Sequence, residues 1–167
     1  MRTRKSQLAV ISALGLVGYA VLRGKLRRFE IVEGSMEPHL SHGEYIIAQE
    51  RSSAPKRGDI VIVAHPDIPG FDLVKRVIGL PGELVTLANG QVHIDDQVLA
   101  EAWADGPTRP DGEWQLGPDD LYVLGDNRAM SSADSRTIGP VSTANVKWKA
   151  VARYWPLARV GRVRSGT

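Results

Sequence analysis

Residues Leu8 to Leu22 form an uncharged, largely apolar run, with Arg2, Arg4 and Lys5 before it and Arg23, Lys25, Arg27 and Arg28 after it. As a helix the run covers about 22 Å at 1.5 Å per residue, against a hydrocarbon core of about 30 Å. Flanking Lys and Arg can snorkel, and Leu26 and Phe29 extend the apolar contact, so a single-pass anchor over residues 1–28 is the expectation. A cleaved leader shares the basic start and the short apolar run. Here, however, the run ends in Arg23-Gly24-Lys25-Leu26-Arg27-Arg28, where such a leader carries small residues. Basic side chains stand on both sides, so charge does not orient the segment.

From Phe29 onward the pattern shortens into β-rich runs separated by turn signals: Phe29–Val32, Tyr45–Ala48, Asp59–Ala64, Asp72–Ile78, Leu84–Leu87, Gln91–Ile94, Leu121–Leu124 and Val146–Trp155. Asn89-Gly90 between two of them predicts a tight antiparallel hairpin. No stretch of a dozen residues has helical period. Residues 29–167 therefore read as one compact, mostly β, antiparallel domain behind the N-terminal segment. Ala104–Pro118 is so rich in Pro, Gly and charge that it reads as a surface loop or insertion.

Composition changes this picture at two points. There is no cysteine among the 167 residues, which removes thiol nucleophiles, disulfides and Cys-ligated metal centres. The sequence pI near 9.0 suggests a polyanion partner, but seven of the 21 Lys and Arg lie in residues 1–28, which hold no acid. The remaining 14 face all 19 Asp and Glu. The basicity belongs to the terminal segment, and the mildly acidic body is a poor phosphate binder, so nucleic acid is not an expected partner.

Strand alternation places Phe71, Leu73, Lys75 and Val77 on one face of Asp72–Ile78, and Asp72, Val74, Arg76 and Ile78 on the other. Lys75 is thus a cation between aliphatics, and burial lowers an amine's pKa toward that of a usable base. The competing reading is an edge-strand lysine whose stem covers apolar surface. Arg76 shares a face with Asp72 and can pair with it. Ser35 follows the first strand in Gly34-Ser35-Met36-Glu37-Pro38: Gly34 permits close approach, Pro38 stiffens the far side, and Met36 supplies a flexible apolar wall for a substrate. In such a turn the hydroxyl can attack a carbonyl while the serine's own N–H binds the oxyanion. A third, turn-dense segment, Gly125 to Arg136, contains Asp134 and Arg136 at a spacing suited to an ion pair.

Taken in order, GSMEP at 34–38, RGDIVIV at 57–63, VKRVIGLPGE at 74–83 and GDNRAMSSADSRTIGPV at 125–141 resemble the type I signal peptidases, membrane serine proteases with a Ser/Lys dyad. The resemblance implies Ser35 as nucleophile, neutral Lys75 as general base and then acid, a mostly β catalytic domain on the extracytoplasmic side of the cell membrane, one N-terminal transmembrane helix, and neither metal nor organic cofactor. It carries over Ser132 as the serine that orients the lysine amine, Asp134 and Arg136 as a supporting ion pair, and Asp126 and Asn127 as turn residues. Its substrates are preproteins with small residues before the cleavage site, bound as an added strand.

Three positions depart from the pattern. Asp134 stands one residue further from Asn127 than usual, so Ser131 can replace Ser132. Glu33 stands where a hydroxyl often completes the oxyanion hole, and an ionised carboxylate cannot donate. His39 stands where a Thr is usual; with His42 it forms an i, i+3 pair, but no third metal ligand accompanies them. Two other readings keep part of the pattern: a self-cleaving Ser/Lys domain of the SOS-repressor type, and a membrane-anchored β module that binds partners without catalysis.

Overall fold

A computed structural model describes residues 15, 18, 19 and 23–166. Most of the expected anchor run lies outside these. Among the described residues, no helix is long and apolar enough to cross a membrane.

The chain builds two antiparallel sheets. Four strands come first: β1 (Leu26–Glu30), β2 (Tyr45–Glu50), β3 (Ile60–Ala64) and β4 (Asp72–Gly79). Then follow β5 (Leu84–Ala88), β6 (Gln91–Ile94), β7 (Gln97–Val98) and β8 (Gly112–Gln115), which form a separate sheet in the order β7-β6-β5-β8. The chain returns through β9 (Asp120–Leu124), a single helical turn α1 (Ser135–Ile138), β10 (Val141–Ser142), the long β11 (Val146–Trp155) and β12 (Gly161–Arg162). The larger sheet runs β1-β2-β11-β3-β4-β9-β10, with β12 beside β11.

The apolar run Ile60–Val63 explains why β3 and β4 lie at the centre. Ile60 and Ile62 pack on one face with Ile31, Met36, Leu40, Ile46 and Ala48. Val61 and Val63 pack on the other with Leu73, Val77, Leu121, Val123 and Val141. A strand covered on both faces needs no alternation, and its sequence shows none. Ile78, Val85, Leu87, Trp103, Leu116 and Tyr122 then join the small sheet to the large one. At Gly79 this junction tolerates no side chain, because a Cβ there would lie 2.5 Å from Val85 and 2.8 Å from Leu116. The Asn89-Gly90 hairpin forms between β5 and β6, with φ of 54° and 82° at the two residues, as a two-residue turn of this hand requires.

Several expectations change. The first strand begins at Leu26 and ends at Glu30: Leu26 to Arg28 pair with Gln49 to Ile47, so this basic stretch joins the sheet. Residues 104–118 are not all loop, since Gly112–Gln115 pairs with β5. The strands of two residues, β7, β10 and β12, are too short for any period to reveal. Trp148 packs on Phe29 at a ring separation of 6.4 Å and Tyr154 on Tyr45 at 6.0 Å, while Trp155 is exposed.

Candidate active site

Strand β1 delivers the chain into the turn 31–40, where Ile31, Met36 and Leu40 are drawn into the core and pull Ser35 inward with them. Met36 is thus a core residue as well as a wall of the cleft beside Ser35. Lys75 lies opposite Val61 in the centre of the sheet. It is 2% exposed, so the edge-strand reading does not hold. Its Nζ lies 3.0 Å from Ser35 Oγ, within hydrogen-bonding distance. Burial holds the amine pKa below the ordinary lysine value, and the negative charges of Asp134 and Glu33 oppose that shift without reversing it.

The loop 125–136 closes over this pair. The Asn127 N–H donates to the Ser35 carbonyl at 3.0 Å, fixing the Ser35 backbone. Asp134 is fully buried and accepts from Ser131 Oγ at 2.6 Å, from the Gly125 N–H at 3.2 Å, and from Arg136 through Nε at 2.9 Å and Nη2 at 2.8 Å. Burial alone pushes this carboxyl up, but the hydrogen bonds from Arg136 and Ser131 and the Arg136 charge outweigh it, so it stays below the usual range. Ser132, expected to face the lysine, is exposed, and its carbonyl accepts from Thr137 Oγ1 at 2.8 Å. Ser131 is the buried one of the two serines, and its hydroxyl turns to Asp134.

Arg76 does not pair with Asp72. Four residues along a strand is about 13 Å, beyond side-chain reach, and Asp72 is exposed at the strand's start. Register instead sets Arg76 opposite Leu124, two residues before Asp126. The guanidinium forks onto Asp126 at 2.7 Å and 2.6 Å and donates to the Gly58 carbonyl at 2.7 Å. His39 Nδ1 lies 3.2 Å from the same carboxylate, while His42 Nδ1 bonds the Val32 carbonyl, so the two imidazoles turn to different partners.

A cleft of about 160 Å³ opens on Ser35 and Lys75 between residues 30–36 and 71–75. On this side β4 meets β9 only from Arg76 onward, leaving the backbone edge of Asp72 to Val74 without a strand partner there. Behind the site, Gly125 has no room: a Cβ would stand 2.4 Å from Ser131 Oγ and 2.5 Å from the Ser35 carbonyl. Gly125→Ala is therefore expected to lower stability by about 1–3 kcal/mol, read in urea unfolding.

Residues 3–155 match the family model described as signal peptidase, peptidase S26. The chain is 36% identical over 170 residues to a signal peptidase I of Leptolyngbya laminosa, covering 93% of this chain and 79% of that one. It is 30% identical to mitochondrial inner membrane protease subunit 1 of Xenopus tropicalis, covering 90% and 87%. The crystal structure of a signal peptidase I from Enterococcus faecalis superposes with a TM-score of 0.50 at 29% identity, over 56% of this chain and 94% of that one. The β fold and these relatives define a serine peptidase. More particularly, the chain belongs to the signal peptidase family, peptidase S26.

Proposed function

We propose that this protein removes signal peptides from exported preproteins by a Ser35/Lys75 dyad, at a membrane and on its extracytoplasmic side. The observation that carries this reading is the 3.0 Å approach of a buried Lys75 amine to the Ser35 hydroxyl. Neutral Nζ takes the hydroxyl proton as Oγ bonds to the scissile carbonyl carbon. The tetrahedral intermediate then collapses, the C–N bond breaks, and Nζ returns the proton to the leaving amine. Water next attacks the acyl-enzyme ester with Nζ again as base, releasing the new carboxylate and restoring the Ser35 hydroxyl. Among the described residues nothing accepts from the Ser35 N–H, which leaves it available to the oxyanion. Glu33 beside it is acceptor-only when ionised. Ser131, Asp134 and Arg136 hold the loop that seals Lys75 from water.

Substrate enters extended, adding to the open edge at Asp72 to Val74 with its small side chains against Ile31, Met36 and Leu73. Backbone bonds then supply affinity and the narrow cleft supplies selection. This favours a processing enzyme over a binding module, for which a buried lysine amine 3.0 Å from a serine hydroxyl has no use. It also differs from a self-cleaving domain, because no segment of the described chain occupies the cleft. The test is cleavage of a membrane-tethered preprotein bearing Ala-x-Ala, with the new N-terminus sequenced. Replacing the Ala before the scissile bond by Leu is expected to lower kcat/KM about a hundredfold. Equal cleavage of both substrates rejects the small-residue pocket.

A further inference from the structure

The excursion between β7 and β8 grips the loop that follows β9. Arg128 is 2% exposed, and its guanidinium forks onto Glu101, with Nη2 donating to Oε1 at 2.5 Å and Nη1 to Oε2 at 3.2 Å. Nη1 also donates to Thr108 Oγ1, and Nε donates to the Gly125 carbonyl at 3.1 Å. Two backbone bonds run alongside: the Asp105 N–H donates to the Asp126 carbonyl at 2.8 Å, and the Arg128 N–H to the Asp105 carbonyl at 3.0 Å. The Thr108 N–H is fastened at 2.9 Å to the Gly90 carbonyl in the β5–β6 hairpin, so the small sheet braces the excursion. At the other end of this path, the Asn127 N–H holds the carbonyl of Ser35.

From this continuous path we infer that Glu101 is a positioning residue for the peptidase reaction. Paired with Arg128, it fixes the 125–128 backbone, and through Asn127 it holds Ser35 in register with Lys75. Removing the carboxylate leaves a buried guanidinium without its counter-charge, which must then turn toward water and carry residues 125–128 with it. A shift of about 1 Å between reacting groups costs about a hundredfold in rate. Glu83 is a suitable contrast: it also pairs with an arginine, Arg57, at 2.6 Å, but far along the chain from the 125–136 loop. The inference rests on the Ser35/Lys75 reading above.

The test uses the full chain in membranes or detergent and compares Glu101→Gln, the milder Thr108→Val, and Glu83→Gln. For Glu101→Gln the expected result is a fall in kcat of about tenfold or more with KM within about twofold. Backbone amides of Asn127 and Arg128 should exchange with solvent about tenfold faster while those of β3 keep their rates. Thr108→Val should lower kcat about threefold with the same local exchange pattern, which decides the matter if Glu101→Gln does not fold. Glu83→Gln should keep kcat. Unchanged kcat and unchanged Asn127 and Arg128 exchange in both clamp variants overturn the inference. So does a kcat loss accompanied by equal acceleration in β3, which marks general destabilisation. If the wild type cleaves no preprotein, the Ser35/Lys75 reading fails separately, and the exchange rates alone then support or overturn the clamp.

Discussion

Ser35→Ala is expected to lower preprotein cleavage by about 10⁴-fold or more, and Lys75→Met by about 10²–10⁴-fold, with the fold retained in both. Methionine fills the lysine's space without a charge, so the second variant should also unfold at higher temperature than the wild type. The reason is linkage. Burial lowers the Lys75 pKa in the folded state below its value of 10.5 in the unfolded chain, so between those two values the unfolded chain binds more protons. Wild-type stability therefore carries its full penalty below the folded pKa and recovers as pH rises toward 10.5. The stability advantage of Lys75→Met should shrink over the same window. Cleavage by the wild type should rise as pH passes the folded Lys75 pKa, because only the neutral amine accepts the Ser35 proton. Substantial cleavage by Lys75→Met, or a rate independent of pH from neutral to alkaline, rejects the lysine base.

The second large effect concerns stability. Arg76→Met or Asp126→Leu alone leaves one member of a doubly hydrogen-bonded pair, both side chains 1% exposed, without its counter-charge. The expected loss is about 3–5 kcal/mol in urea unfolding, much of the 5–15 kcal/mol that holds a domain together. The double variant, with two apolar groups facing each other, should recover a large part of that loss, since neither charge is then stranded. A loss below about 1 kcal/mol in both single variants would show the pair to be energetically idle. Because Asp126 also precedes the Asn127 N–H on Ser35, the singles should lose activity before they unfold.

Where side chains alternate or run apolar, the fold is legible in the chain. Tyr45–Ala48, Asp72–Ile78 and the Asn89-Gly90 hairpin come through with small changes of boundary, because local periodicity and the positive φ of a two-residue turn are properties of neighbouring residues. Strand β8 was hidden by the Pro and Gly on either side of Gly112-Glu113-Trp114-Gln115, and its pairing depends on β5, nearly thirty residues away. At the site, Ser35 and Lys75 stand out by motif and by an apolar strand face. Glu101 has no such signal. Its surroundings in sequence are unremarkable, and its partner is 27 residues distant. Which of the two neighbouring serines is buried is likewise not legible in the chain: Ser131 lies inside with its hydroxyl on Asp134, while Ser132 is exposed.

By itself, the sequence determined the succession of strands and turns, the absence of thiol chemistry, the separation of a basic terminus from an acidic body, and the residue types available to a Ser/Lys site. All of these depend on composition or on neighbours a few positions apart. The tertiary structure alone decided which groups meet: Lys75 with Ser35 across 40 residues, Arg76 with Asp126 across 50, and Arg128 with Glu101 across 27. It did so because strand register and two-sided burial, not spacing along the chain, bring those side chains within hydrogen-bonding distance and deny them water.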